Sequence, residues 1–239
     1  MLAVFKRDFT AYFTSAIGYV YLGAYILVLN LMFYLGNALG SSSSLAGLFA
    51  FMLLVMMFIT PILTMRVFSE DYKQKTDQLL HTAPVSVLSI VFGKFLSSLA
   101  VFICLLLLTV LWPFTVSIFG ENNVAEVVGN YVGILCIGAA YIAMGVFISS
   151  LTENQVIAAV GSLALFIGLY LLEIIALTFF SSGVLPVFVM RIFLFISIFG
   201  RYNEITGGLL SLDAIVFFLS VCAFFLFLTV RALEKRRKG

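Results

Sequence analysis

The sequence predicts an all-α polytopic membrane protein, one domain over residues 1–239 with six transmembrane helices. Three observations lead there. Hydrophobic residues make up 63% of the chain, charged residues 10%, and the mean hydropathy is +1.20; a soluble domain that apolar could not cover its surface, whereas a bilayer is an apolar solvent. Six runs reach the roughly 20 apolar residues that a span requires, near residues 18–37, 47–65, 96–118, 129–151, 156–180 and 212–230. The charges, finally, gather between these runs rather than inside them. Backbone amides in hydrocarbon must be paired within their own segment, so each run is a helix.

Before the first span, residues 1–16 place Leu2, Phe5, Phe9, Tyr12, Phe13 and Ala16 on one helical face and Lys6, Arg7, Thr10 and Thr14 on another. That is the pattern of an amphipathic helix lying in the membrane interface. Its charges are interleaved with aromatics instead of preceding an apolar core, which argues against a signal peptide. Ser41–Ser44 makes a polar outer turn between spans one and two. Pro61 should kink the second span near its inner end, and Pro113, beside Trp112, the third near its outer end. The third apolar run begins at Ser86 and is too long for a simple span. Residues 86–95 are therefore predicted to form a second surface helix bent from it, with Lys94 snorkelling to the headgroups.

Small residues punctuate spans four and five: Gly129 and Gly133, Ala139 and Ala143, and Gly161 with Leu165 and Gly168. They let helix backbones approach closely where lipid removes any hydrophobic drive to associate. Glu173 stands apart, because a carboxylate in the outer half of span five must face protein or water. It either lines a substrate path or is protonated or paired within the bundle. Residues 181–211 are too long for a tight turn and too apolar for an ordinary loop. Within them 187–199 suits a helix, but one that falls short of a span and holds Arg191, so an outer re-entrant or interfacial hairpin is predicted. Cys104, Cys136 and Cys222 fall inside apolar runs without metal-like spacing and read as packing residues.

The stretch 66–95 is the most informative. It carries Arg66, Glu70, Asp71, Lys73, Lys75, Asp77 and Lys94 together with the only histidine, His81, between two long apolar segments. Read as a helix over 68–83, it puts Phe68, Tyr72, Thr76, Leu79, Leu80 and Ala83 on one face. Glu70, Asp71, Lys73, Lys75, Asp77 and His81 project elsewhere, and Pro84 closes the pattern. A helix at a membrane surface with a mixed-charge face and a solvated loop between spans both fit this pattern. Of the 13 basic residues, eleven fall before span one, between spans two and three, or after span six, leaving Arg191 and Arg201 on the other side. The positive-inside rule then puts both termini and the 66–95 stretch in the cytoplasm. A net charge of +2 gives no reason to expect nucleic acid, since the basic residues sit where topology wants them.

These segments resemble a known family. The run Ser69–Val85 followed by Gly93 and Lys94 is similar to the stretch after the second helix of ABC-2-type permeases, in which an acidic residue, G-T, a leucine, P-V and then G-K recur. Glu70 or Asp71, Thr76, Leu80, Pro84, Val85, Gly93 and Lys94 match, and Lys75 stands where the family usually has glycine. Residues 5–19 resemble the family's elbow helix, with Ala16 in place of a proline. Residues 199–234, with Tyr202, Asn203, Gly207 and Asp213 at the corresponding places, resemble the end of gliding-motility-type ABC permeases. The resemblance implies the permease subunit of a bacterial ABC exporter in the inner membrane. It also implies a coupling helix, carried by Phe68, Glu70, Asp71, Tyr72, Thr76, Leu79, Leu80 and Pro84, that docks on a separate ATPase. ATP and Mg would be bound by that partner, in two copies, and a second permease copy would complete the assembly, as a homodimer or with a similar chain. The sequence itself carries no G-x-x-x-x-G-K-[ST] motif, no metalloprotease H-E-x-x-H and no evident inverted repeat. A secondary transporter or channel is the alternative; it should show ionisable residues at the midplane, where Glu173 is the one candidate.

Overall fold

The computed structural model describes residues 1–39, 44–73, 75, 86–119, 123–181, 197–206 and 211–238, and every regular element among them is a helix. In chain order these are α1 (Leu2–Thr14), α2 (Ala16–Phe33, prolonged by a π-helical turn Tyr34–Ala38), α3 (Ala46–Thr64), α4 (Ser69–Lys73) and α5 (Val87–Thr109). Then follow α6 (Leu111–Phe119), α7 (Val124–Leu151), α8 (Gln155–Ser181), α9 (Ile198–Thr206) and α10 (Leu212–Lys238). Among the described residues, six helical stretches are long and apolar enough to cross a membrane. Each overlaps one of the six sequence runs, and most are longer, the second and third by nine residues each.

The helix starts follow from short polar residues placed just before them. Ser86 accepts from the Ser89 amide at the start of α5, Asn123 from the Ala125 amide at α7, and Asn154 from the Val156 amide at α8. Each satisfies one of the orphan amide donors of a first turn. At Ser15 the chain is extended (φ −103°, ψ 159°), and this single residue turns the elbow helix α1 into α2.

One expectation fails at the third span. Residues 86–95 are not a separate surface helix: α5 runs unbroken from Val87 to Thr109. The break comes later, at Val110, whose amide bonds back three residues to the Leu107 carbonyl. Pro113 explains the position, because it has no N–H to offer the Thr109 carbonyl four residues earlier. Pro61 lies inside α3, which continues past it to Thr64.

Helix α7 is the axis of the bundle. Two-thirds (67%) of its apolar window is buried, against 17% for α8 and 22% for α2. It packs on α3, α5, α8, α9 and α10. Close approach is made possible by missing side chains, since a Cβ on Gly138 would stand 2.1 Å from the Phe102 ring of α5. Tyr141 of the same helix stacks on Phe166 of α8 with ring centroids 4.3 Å apart. On either side of α3, α2 and α8 leave long apolar faces uncovered, among them Leu27, Leu31, Ile157, Val160, Leu171 and Ile175.

Candidate functional site

The last turn of α3 sets the geometry of the stretch singled out in the sequence. A helix end leaves carbonyls without intrahelical donors, and here side chains from three other helices supply them. The Tyr12 hydroxyl of α1 donates to the Leu63 carbonyl at 3.0 Å and lies 3.0 Å from Ser98 Oγ of α5. Ser149 Oγ of α7 donates to the Met65 carbonyl at 3.2 Å and accepts from the amides of Phe68 (3.1 Å) and Ser69 (3.3 Å). Lys94 Nζ of α5 donates to the Val67 carbonyl. The root of α4 is thereby tied to α1, α5 and α7 at once.

Charge completes this joint. Lys94 is only 3% exposed, and its Nζ stands 2.7 Å from Asp71 Oδ2 and 3.1 Å from Asp8 Oδ2. Arg7 Nε lies 2.7 Å from Asp8 Oδ1, and its Nη2 3.7 Å from Asp71 Oδ2. Arg66 pairs with Glu70 through Nε and Nη2, one edge of its guanidinium, and donates from Nη1 to Ser15 Oγ at 3.0 Å. Three cations and three carboxylates thus line one cleft of about 280 Å³, balanced in charge. Burial works against the Arg7 charge, but the hydrogen bond to Asp8 and the Asp8 and Asp71 charges outweigh it and hold its pKa above the ordinary value. Burial pushes the Tyr12 phenol above its usual range, so it stays a hydrogen-bond donor at any physiological pH. A buried cation between two carboxylates adds little net stability while intact. Removing one partner leaves the others uncompensated, at about 3–5 kcal/mol.

A family model for ABC-2 family transporter proteins matches residues 49–236, which include α4, the buried Lys94 and the bundle from the first turn of α3 to near the end of α10. The chain belongs to that family. No curated protein sequence matches it. Membership makes this ABC-2 chain a multi-pass membrane component of an ABC transporter.

Within the ABC-2 chain, the sequence-derived site residues separate into three groups. Glu70 and Asp71 are brought into the joint. Phe68 and Tyr72 are 2% and 7% exposed and stack on one another inside the bundle, so the apolar face of this segment is covered by the chain itself. Thr76, Leu79, Leu80 and Pro84 lie outside the described residues. The helix predicted over 68–83 is interrupted: α4 ends at Lys73, and Lys75 takes a left-handed conformation (φ 56°) with its amide bonded to the Tyr72 carbonyl. That conformation suits glycine, which the family usually has at this place, and strains lysine.

Lys94 corrects the expectation that it snorkels, for it points inward to Asp8 and Asp71 and lies 5.1 Å from the Phe68 ring centroid. Asp8 and Ser149 carry no mark of their own in the sequence, and Tyr12 stands there only as part of an apolar face. A positional signal for Asp8 and Tyr12 exists in Val4, Asp8 and Tyr12, spaced four apart along the buried side of α1, where Leu2 proves 81% exposed. Glu173 belongs to the opposite end of the bundle. It is half-buried, and its Oε2 accepts from the Phe199 amide at 3.3 Å in the first turn of α9. Of its two predicted roles, this contact is pairing within the bundle. The remainder of the predicted outer hairpin, residues 182–196 and 207–210, lies outside the described residues.

Proposed function

We propose that this chain is the permease subunit of an ATP-driven exporter in a bacterial inner membrane, with both termini cytoplasmic. A separate subunit binds ATP and Mg and docks on the segment that begins at α4. The observation that carries this reading is the joint itself. A short charged segment connects spans two and three, and its root is fastened to three helices by Tyr12, Lys94 and Ser149. A load applied to the segment is therefore delivered to α1, α5 and α7 as one body, which is what conversion of ATPase closure into a rigid-body movement of the spans requires. The orientation rests on the positive-inside rule, since Arg7, Arg66, Lys94 and Arg236 all lie at the α4 end. Two ATPase copies and a second permease, identical or similar, complete the assembly. The exposed faces of α2 and α8 form the seam between permeases and bound the substrate path.

Co-purification tests the reading. The chain expressed with its cognate transport operon should retain a soluble P-loop ATPase. Replacing Leu79 and Leu80 together with aspartate should abolish ATP hydrolysis that depends on the permease, while the protein stays in the membrane. Normal hydrolysis by that double variant refutes the assignment of the docking segment. Native mass spectrometry should find two six-span chains per complex, and a stable complex with one contradicts the proposed seam.

A further inference from the structure

The five basic residues after span six mark topology in the sequence, and the structure gives one of them a specific place. Arg236, in the last turns of α10, sets its guanidinium carbon 4.3 Å from the centroid of the Tyr72 ring. Its Nη2 donates to the Leu151 carbonyl at 3.2 Å, at the C-terminal end of α7, and its Nη1 lies 4.0 Å from Glu153 Oε1. The Glu153 pair is exposed, and such pairs contribute little. The other two contacts carry the argument. A guanidinium over an aromatic face is attracted by the ring quadrupole, and one at a helix C-terminus satisfies an orphan carbonyl and meets the negative end of the dipole.

Tyr72 in turn stacks on Phe68, with centroids 6.3 Å apart, and Lys94 lies 5.1 Å from the Phe68 centroid. The four side chains make a continuous cation–ring–ring–cation stack. Lys94 of α5 closes one end, Arg236 of α10 closes the other, and both rings belong to the root of the docking segment. We propose that Arg236 is a positioning residue that clamps the root of this segment from the C-terminal helix and sets the bearing of α4. The inference rests on the proposed role of that segment as the ATPase docking site. It assigns to α10 a part in coupling, since α10 packs along α7 and its other end meets α9, where the Arg201 guanidinium lies 5.8 Å from the Phe217 ring.

The test uses the full-length chain in lipid nanodiscs with its ATPase, read in two ways. Cleavage by a lysine-specific protease at Lys73 and Lys75, resolved by mass, reports how firmly the segment is held. Permease-dependent ATP hydrolysis reports whether its bearing matters. Arg236→Ala should speed that cleavage and slow hydrolysis, each about five- to tenfold, the size expected for losing a partly desolvated cation–π contact. Arg237→Ala, which removes the same charge from the same turn, should leave both unchanged. Tyr72→Leu should match Arg236→Ala, and combining the two should add nothing further. Unchanged cleavage in Arg236→Ala, or an equal effect of Arg237→Ala, overturns the clamp. Faster cleavage with unaltered hydrolysis overturns its role in coupling. If the wild-type chain engages no ATPase, the functional reading falls by itself, and the coupling role falls with it, while proteolysis still decides the clamp.

Discussion

The two ends of α7 each seat a short helix, and they do so by different chemistry. At one end α4 is held by Ser149 and by the Lys94 centre with Asp8 and Asp71. At the other, α9 is held by Glu173 at its first turn, by a hydrogen bond from the Tyr202 hydroxyl to Asn130, and by close packing on Gly133. The first seat gathers charges from three chain segments in one cleft; the second spreads a carboxylate, a hydroxyl–amide hydrogen bond and the Arg201–Phe217 contact over separate points. A buried charge centre fails as a unit when one member is lost, whereas separate contacts fail one at a time and in small steps. The α4 seat is thus built as an all-or-none connection, and the α9 seat as a graded one.

The largest expected effect follows from breaking the charged seat. Lys94→Met should lower stability by about 3–5 kcal/mol, read as the folded fraction after heating in detergent. Adding Asp71→Asn to it should restore most of that loss, because Arg7 still pairs with Asp8 and no carboxylate is then left uncompensated. If the double variant is no better than Lys94→Met, the damage comes from lost packing and the contrast between the two seats disappears. At the opposite end, Gly133→Leu pushes a side chain into the Tyr202 ring, which a Cβ alone would approach to 2.8 Å. Overpacking of that kind should cost about 1–3 kcal/mol, measured the same way.

Tyr202→Phe removes one hydrogen bond and should cost about 1 kcal/mol. Glu173→Gln keeps an acceptor but takes a negative charge from the α9 N-terminus, for about 0.5 kcal/mol. Measured together, the two should add, as expected of a graded seat; strong non-additivity would make this seat a unit like the other. The smallest effect is a gain. Lys75→Gly relieves the left-handed lysine and should stabilise the chain by about 0.5–1 kcal/mol. A loss there would mean that the lysine side chain holds the turn.

Much of this architecture was legible in the sequence. The six spans needed only hydropathy and length, and the break in the third span followed from Pro113, because a missing N–H acts locally. Lys94 was misread for the opposite reason. At the edge of an apolar run a lysine can snorkel or pair, and only the folding of α1 back onto α5 decides between them. That contact brings Asp8 beside a residue 86 positions away in the chain, and no local period announces it. The early end of α4 was half legible, since glycine was expected at residue 75 and a left-handed turn is what glycine would have supplied there. Phe68 and Tyr72 were correctly placed on one face, but their covering by Lys94 and Arg236 depends on side chains 26 and 164 residues further on.

The central claim, that Lys94 fastens the root of the docking segment to the bundle, is tested most directly by a distance. With Cys104, Cys136 and Cys222 replaced by alanine, spin labels at residues 6 and 73 report the separation of α1 and α4 by pulsed electron spin resonance in nanodiscs. One narrow distance distribution is expected in the otherwise wild-type chain and in Glu173→Gln, and a broadened or shifted one in Lys94→Met. A distribution in Lys94→Met as narrow as the wild type, at the same distance, would contradict that claim.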